Sequence, residues 1–188
     1  MTVSEDYGPD FFGMHINWRG DYHLMGDKLS HHLSFDSALD LGCGNGYLLE
    51  RLQQRGKRVL GVDGSEHAQG HADIPFQIYD LRRPFMIWNW ELVISTEVAE
   101  HLPAESANIL VDTIVRATRR WVYFSAARPG LGGYKHLNEQ EKPYWVSKFI
   151  ARGMTLDVEA TDRIAADMTQ LVHTWWFAKN AMVFRVAA

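Results

Sequence analysis

Short apolar segments alternate along most of the chain with longer segments in which apolar residues recur every three or four positions. The first apolar segment covers residues 39–41, and Leu48, Leu49 and Leu52 then follow a helical spacing. Parallel strands of one sheet need crossover connections, which are usually helices, so this alternation predicts an α/β fold. We expect a mostly parallel sheet with helices on both faces, which is a three-layer αβα arrangement.

The same alternation predicts the remaining elements. Leu110, Val111 and Ile114 share one face of a predicted helix, and a further helix is predicted over residues 142–152. No periodic pattern assigns an element to the segment between the last two strands. Strands are predicted over residues 58–63, 76–79, 91–95, 121–125, 155–159 and 175–186.

The N-terminal part of the chain, residues 1–37, is rich in aromatic residues and histidines. Two interpretations are open: the rings pack an N-terminal helix against the core, or they cover the mouth of a ligand site. We therefore divide one domain, residues 1–188, into a cap segment at residues 1–37 and an α/β core at residues 38–188.

The composition is that of an ordinary globular domain, with 46% hydrophobic and 22% charged residues. A formal net charge of −4 provides no basic field, which disfavours a nucleic-acid partner and favours a small or neutral one. No stretch is apolar over the roughly 20 residues of a membrane span, and the N-terminus lacks the features of a signal peptide. We expect a cytoplasmic monomer or homodimer that does not interact with membranes.

The junction between the first strand and its helix carries three alternate glycines, Gly42, Gly44 and Gly46. Glycine adopts positive φ at no steric cost and lets a ligand approach the backbone, and the helix start offers free N–H groups. Asp63 ends the second strand roughly 20 residues later, where a carboxylate can bind both hydroxyls of a ribose. The junction therefore predicts a site for a nucleotide-like ligand, and Asp63 would serve a nicotinamide dinucleotide and S-adenosylmethionine (SAM) alike.

The Gly-x-Gly-x-Gly spacing after Leu39-Asp40-Leu41 resembles the first motif of class I SAM-dependent methyltransferases more closely than the dinucleotide fingerprint Gly-x-Gly-x-x-Gly. The charge of Asp40 also suits the ammonium and sulfonium groups of SAM, whereas it would repel a pyrophosphate. Residues 97–102 are similar to the Glu-Val-x-Glu-His-(Leu/Val) run of small-molecule and glycan methyltransferases. Residues 132–149 resemble the His-x-Asn-x-Gln…Tyr-Trp…Phe pattern of a bacterial and phage subgroup.

This resemblance implies a Rossmann-like, seven-stranded sheet with an antiparallel last strand, SAM as cofactor and S-adenosylhomocysteine (SAH) as product. It also implies that Asp80 accepts a hydrogen bond from the adenine amino group, with Leu81 beside the ring. A typical member has Pro-Gly-Gly before the fifth strand, and residues 118–120 replace it here, which we expect to alter a turn away from the ligand. The predicted cofactor-binding residues are Asp40, Gly42, Cys43, Gly44, Asn45, Gly46, Asp63, Gly64, Asp80, Leu81, Thr96 and Glu97.

Methyl transfer from a sulfonium is an in-line displacement that needs no metal, so we expect a metal-independent transferase for a small molecule or a sugar, with O-methylation favoured. A hydroxyl acceptor needs a base, for which His136 is the first candidate and His101 the second. A carboxylate acceptor needs none, and Arg128, Lys135 or His136 would then hold the anion. The predicted acceptor-binding residues are His15, Trp18, Tyr22, Tyr134, Gln140, Tyr144 and Trp145.

Several alternatives stay open. A metal-dependent variant would need Asp21, His23 and His136 to converge, although their spacing is not diagnostic. Cys43 is interpreted as a small residue of the turn, without chemistry of its own. At the level of the whole protein, the alternatives are a non-catalytic SAM-fold binding or sensor protein and an NAD(P)-dependent oxidoreductase.

Overall fold

A seven-stranded sheet forms the centre of the computed structural model, which describes residues 7–187. The strand order is β3-β2-β1-β4-β5-β7-β6; the first five strands are parallel, and β7 runs antiparallel to both β5 and β6. This confirms the predicted α/β class and the antiparallel last strand. The strands are β1 (Ser37–Leu41), β2 (Arg58–Asp63), β3 (Phe76–Ile78), β4 (Trp90–Thr96), β5 (Thr118–Ser125), β6 (Met154–Leu156) and β7 (Met182–Val186).

Helices cover both faces of the sheet and leave two separate apolar clusters, one on each side. The helices are α1 (Pro9–His15), α2 (Arg19–His32), α3 (Tyr47–Gln54), α4 (Ala107–Ala117), α5 (Lys142–Ile150), α6 (Val158–Met168) and α7 (Trp176–Asn180).

Alternate residues of the central strand β4 belong to the two different clusters. Val93 packs with α4 and α5, whereas Leu92 and Ile94 pack with α2, α3 and α6. Successive side chains of a strand point to opposite faces, so a strand buried on both sides is apolar throughout. Because β1, β2, β4 and β5 are parallel, their carboxyl ends meet at one edge of the sheet. The connecting loops at this edge carry polar and glycine residues.

Two predicted strands are partly wrong in the C-terminal third of the chain, and one helix was not predicted. Residues 158 and 159 do not continue a strand but begin α6, because the side chain of Asp157 accepts a hydrogen bond from the N–H of Ala160 and caps that helix. Helix α6, for which no element was predicted, packs through Ala160, Ile164 and Met168, one turn apart. Most of residues 175–181 likewise form α7 rather than the start of a strand.

The fifth strand begins earlier than predicted. Helix α4 ends at Ala117, and Thr118 already pairs with Trp90 of β4, so residues 118–120 lie inside β5 rather than in a turn. The missing Pro-Gly-Gly turn is thus explained by a direct connection between helix and strand.

The N-terminal segment divides into two parts with different roles. Helix α2 packs on the core through Met25 and Leu29. Helix α1 lies over the carboxyl edge of the sheet, held by the side-chain amide of Asn45, which donates to the carbonyl oxygen of Phe12 at 2.9 Å. Packing against the core therefore applies to α2, and covering the mouth of a ligand site applies to α1. Within residues 7–187, no helix has both the length and the apolar character needed to cross a bilayer.

Candidate active site

A cavity of about 830 Å³ opens at the carboxyl edge of the sheet, between the loops that follow β1, β2, β4 and β5 and the covering helix α1. Most of its wall is apolar or aromatic, with carboxylates on the floor and two histidines at one end. Loops at the carboxyl ends of parallel strands are the usual place for a ligand in such folds.

Two glycines of the turn, Gly42 and Gly44, lie on the floor of this cavity. Gly42, Gly44 and Gly46 have φ values of 86°, 50° and 76°, in the region that disfavours residues with a Cβ atom. A Cβ atom on Gly42 would lie only 2.2 Å from a methyl carbon of Val98, so the loop after β4 packs directly on the turn. The predicted need for glycine is confirmed at this position by contact as well as by φ.

Asp63 at the end of β2 holds the turn in place. Its two carboxylate oxygens accept hydrogen bonds from the N–H groups of Gly44 and Ser65, each at 3.0 Å. Burial raises the pKa of this carboxyl group. Because a carboxylate oxygen can accept more than one hydrogen bond, Asp63 lines the cavity with capacity left for hydroxyl donors.

Asp40, inside β1, is the carboxyl group on the cavity floor with the fewest stabilising partners. It is 4% exposed, and its Oδ1 atom has no hydrogen-bond partner among the described residues. Burial, and secondarily the charge of Asp63, raises the pKa of Asp40 to about 8. An unpaired buried carboxylate is costly, so this position favours either a proton or a ligand that brings positive charge.

Asp80 and Leu81 line the cavity beyond β3, as predicted for an adenine site. The guanidinium of Arg82 donates to both carboxylate oxygens of Asp80, at 2.8 Å each, and the N–H of Arg82 donates to one of them at 3.0 Å. These bonds lower the pKa of Asp80. The carboxylate is thus ionised, oriented and still an acceptor, beside the buried side chain of Leu81.

Two glutamates follow β4. Glu97 has a φ of 52°, and the amide of Asn180 donates to its two carboxylate oxygens at 3.2 and 3.1 Å. Glu100 is fully buried; its Oε1 atom accepts from the N–H of Ala127 at 3.0 Å, whereas Oε2 has no partner among the described residues. Burial and the neighbouring charge of Glu97 raise the pKa of Glu100. Two carboxyl groups thus lie buried close together at this end of the cavity.

Two histidines stand next to Glu100. The ring centroids of His101 and His136 lie 4.8 Å apart. Nδ1 of His136 hydrogen-bonds Oε1 of Glu139 at 2.7 Å, and Nδ1 of His101 pairs with the hydroxyl of Tyr7 at 3.0 Å. Burial, followed by the charge of His136, lowers the pKa of His101 to about 4, which makes His101 neutral near pH 7 and a weak base.

Aromatic rings from α1 and its neighbours form the cover of the cavity. His15 stacks on Trp18 with centroids 4.5 Å apart, and burial lowers the pKa of His15 to about 4. Phe11 contacts the ring of Tyr134 from the loop after β5, at 5.9 Å. Four predicted acceptor residues, His15, Trp18, Tyr22 and Tyr134, therefore lie in the cavity wall.

The other three predicted acceptor residues lie outside the cavity wall. Trp145 is fully buried in the core against Phe124, with centroids 5.3 Å apart. Tyr144 packs beside it as part of the same core, and the amide of Gln140 donates to Asn138 rather than lining the cavity. The helix that carries the first two begins with its aromatic residues turned toward the sheet, which one sequence does not reveal.

Two of the predicted cofactor residues lie outside the cavity wall. Asn45 is directed to α1, as described above, and Gly46 forms the N-terminal cap of α3 against Ile74. Neither lines the cavity. The remaining predicted cofactor residues do line it, and they are Asp40, Gly42, Cys43, Gly44, Asp63, Gly64, Asp80, Leu81, Thr96 and Glu97.

The predicted alternative metal set does not converge. Asp21 accepts hydrogen bonds from the backbone N–H groups of residues 172–174, and His23 bonds Glu50. His136 instead joins Glu100 and His101, whose ligand atoms all lie within 4.8 Å of one another. Glu100 belongs to the motif at residues 97–102 but was not predicted as a site residue. Glu139 was also missed, although it follows His136 by three positions.

A family profile and several curated relatives match this chain. The profile of the family described as "Methyltransferase domain" matches residues 18–181. Curated relatives named "Ubiquinone biosynthesis O-methyltransferase", from Burkholderia vietnamiensis and Burkholderia multivorans, are 29% identical over 117 residues, which is 55% of this chain and 49% of theirs. The chain thus spans about half the length of these relatives.

Solved structures show the same fold at low sequence identity. Magnesium protoporphyrin IX methyltransferase from Synechocystis, with bound SAH, superposes with a TM-score of 0.67 at 16% identity, covering 98% of this chain and 87% of that one. A Haloferax volcanii methyltransferase, solved with its Trm112 activator, gives a TM-score of 0.65 at 17% identity and covers 95% and 93% of the two chains.

Proposed function

The chain belongs to the methyltransferase-domain family, and from that premise we propose that it transfers a methyl group from SAM to an oxygen atom of a small-molecule or sugar acceptor. The family membership favours this reaction over the NAD(P)-dependent oxidoreductase that the glycine turn alone left open. The curated relatives are named for O-methylation in ubiquinone biosynthesis, which supports a small acceptor with a reactive oxygen.

The observation that carries the proposal is the unpaired, buried carboxyl group of Asp40 beside the glycine turn. A nicotinamide dinucleotide would place an anionic pyrophosphate at this turn, whereas the ammonium and sulfonium of SAM supply the missing positive charge. Asp63 would hold the ribose hydroxyls. Asp80 and Leu81 would hold the adenine. The residues present therefore fit SAM from one end of the cavity to the other.

When bound, SAM supplies a methyl group on a positively charged sulfur, which keeps the bonding electron pair when the methyl leaves. The protein contributes by orienting the acceptor and excluding water, which the aromatic cover around α1 is placed to do. In a metal-free form of the reaction, His136 takes the proton of the acceptor hydroxyl. Glu139 fixes its Nδ1 atom, so Nε2 is the nitrogen available to the acceptor.

Calorimetric titration of the full chain with SAM and SAH tests the first half of the proposal. We expect saturable binding of both; absence of binding would overturn the proposed function. A screen for SAH formation against sugar, phenolic and peptide acceptors tests the second half. Tight SAM binding with no SAH formed from any acceptor would support the non-catalytic alternative instead.

A further inference from the structure

The acceptor end of the cavity gathers three potential metal ligands that the proposed methyl transfer does not use together. One ligand atom each from Glu100, His101 and His136 lies within 4.8 Å of the other two. The first two residues follow β4, and the third comes from the loop after β5, so the cluster depends on the fold rather than on sequence proximity. All three line the cavity that holds Asp40 and Asp63.

The carboxylate of the cluster is prepared for a cation. Glu100 is fully buried, and its Oε1 atom is held by the N–H of Ala127 while Oε2 has no partner among residues 7–187. A buried carboxylate oxygen without a donor is a costly arrangement unless positive charge reaches it or a proton is shared with a neighbour, here the side chain of Glu97. The neighbouring carboxylate of Glu97 adds to the negative potential at the same place.

The imidazoles are oriented as metal-binding histidines are. Glu139 binds Nδ1 of His136, which is the carboxylate–histidine pairing that fixes a ligand histidine and leaves Nε2 for the ion. The hydroxyl of Tyr7 fixes Nδ1 of His101 in the same manner. A Cβ atom on Gly133 would lie 2.2 Å from Nε2 of His136, so only glycine at this position lets the ring pack so closely on the loop.

We propose that Glu100, His101 and His136 bind a divalent transition-metal ion, with open coordination positions that face the cavity and accept an oxygen of the methyl acceptor. Two imidazoles and one carboxylate are a ligand set found in catalytic zinc sites and in iron sites with open positions. Mg²⁺ and Ca²⁺ prefer sets of oxygen ligands, so we expect Zn²⁺, Mn²⁺, Co²⁺ or Fe²⁺ to bind more tightly.

The site must contract to hold an ion. Metal–ligand distances of about 2.0–2.2 Å place the ligands of a tetrahedral ion about 3.4 Å apart, so ligand atoms that lie within 4.8 Å of one another here have to approach by up to about 1.4 Å. Backbone groups of Tyr134 and Lys135 also bond the ring of His101, and this loop has to shift as the ion enters. Gly132 and Gly133 in the same loop give it the freedom to do so.

The ion changes how the acceptor is activated, and this step rests on the proposed methyl transfer. A coordinated acceptor hydroxyl has a lowered pKa and loses its proton to solvent. Its oxygen then forms the bond to the methyl carbon while the carbon–sulfur bond of SAM breaks, with the electron pair remaining on sulfur. His136 acts here as a ligand, so the metal-free reaction expected from the sequence is replaced.

Metal binding to the full chain, without any acceptor, tests this inference. We expect calorimetry and electron paramagnetic resonance to detect one saturable Mn²⁺ site per chain, and Co²⁺ to give the absorption of a nitrogen-ligated ion. Glu100→Gln and His136→Gln should each weaken the binding at least tenfold. The exposed His31 supplies the matched control, since His31→Gln changes one imidazole far from the cluster and should bind as the unaltered protein does.

Two results would overturn the inference: no saturable binding by the unaltered protein, or equal binding by Glu100→Gln, His136→Gln and His31→Gln. Thermal unfolding and SAM affinity of each variant show whether it is folded. Failure of metal binding with SAM binding intact rejects only the metal site. Metal binding without SAM affinity rejects only the proposed function.

Discussion

The two ends of the cavity are built in different ways. At the donor end, the glycine turn and Asp63 come from neighbouring strands within about 20 residues of sequence, and backbone N–H groups fix the geometry. At the acceptor end, Tyr7, Glu100 and His136 come from three distant parts of the chain, and hydrogen bonds of both side chains and backbone fix the geometry. A common cofactor needs one rigid cradle, whereas acceptors vary, and the loops that bind them vary with little cost to the sheet.

The largest expected effect is a loss of turnover, which depends on the acceptor end, without a loss of SAM affinity, which depends on the donor end. His136→Ala should lower turnover at least 100-fold, because the acceptor loses either its base or a ligand of its activating ion. SAM affinity should stay within about twofold, since the donor end keeps its contacts. SAH formation and calorimetry measure the two quantities. Equal losses in turnover and in SAM affinity would mean that His136 supports the whole cavity rather than its acceptor end.

The reciprocal change acts on the donor end. Asp63→Ala removes the predicted acceptor of the ribose hydroxyls and should weaken SAM binding at least tenfold, about 1.4 kcal/mol. Mn²⁺ affinity at the acceptor end should not change. Asp73→Ala, in the loop before β3, is a control for the loss of one carboxylate from the same part of the chain. Unchanged SAM affinity in the Asp63 variant would remove Asp63 from the donor site.

The pH dependence of SAM binding tests whether the carboxyl group of Asp40 at the donor end ionises when the cationic ligand binds. Burial raises the pKa of Asp40 to about 8, so its carboxyl group is mostly protonated at pH 6 to 7 in the free protein. A cationic ligand favours the ionised form, and binding must release this proton. SAM affinity should therefore rise several-fold, up to about tenfold, from pH 6 to pH 7, with the proton release visible as a buffer-dependent binding enthalpy.

The matched variant is Asp40→Asn, which keeps the shape of the side chain and removes its titration. Its SAM affinity should be lower and should no longer rise between pH 6 and pH 7. A rise of the same size in this variant would assign the proton to another group, of which the buried carboxyl of Asp63 is the nearest candidate.

The smallest expected effect concerns the cover. Asn45→Ala removes the hydrogen bond to the carbonyl of Phe12 and should lower the free energy of unfolding by about 1 kcal/mol, with a few-fold loss of SAM affinity as α1 loosens. Hydrogen exchange should rise in residues 9–15 and stay constant in the sheet. Unchanged exchange in α1 would show that other contacts hold the cover.

The same contrast explains what one sequence could predict. The glycine turn and Asp63 could be predicted because backbone geometry imposes residue type and spacing locally, and Asp40 could be predicted from its charge beside that turn. Trp145 was predicted to bind the acceptor although it packs in the core, because an aromatic residue at the start of a helix looks the same whether it faces a ligand or the core. Helix α6 was missed since its small buried Ala160 weakens the apolar pattern, although the capping residue Asp157 was a usable signal.

The acceptor end could be predicted only in part. Residues 97–102 were predicted through resemblance and His136 through its position after the fifth strand, but the sequence does not show that a loop more than 30 residues away returns to Glu100. That return is made by the N–H groups of Leu137 and Asn138, which both donate to the backbone carbonyl of Glu100, at 2.7 and 2.9 Å. Contacts of this range depend on the tertiary fold, which local patterns do not encode.

The close approach of Val98 to Gly42 connects the two ends of the cavity. Val98 lies between the two glutamates that follow β4, and its methyl groups fill the space where Gly42 lacks a side chain. We expect movement of this loop that accompanies occupancy of one end to reach the other through that contact. By thermodynamic reciprocity, whatever factor an ion imposes on SAM affinity is returned by SAM to the ion, and we expect this pair of residues to contribute to that factor.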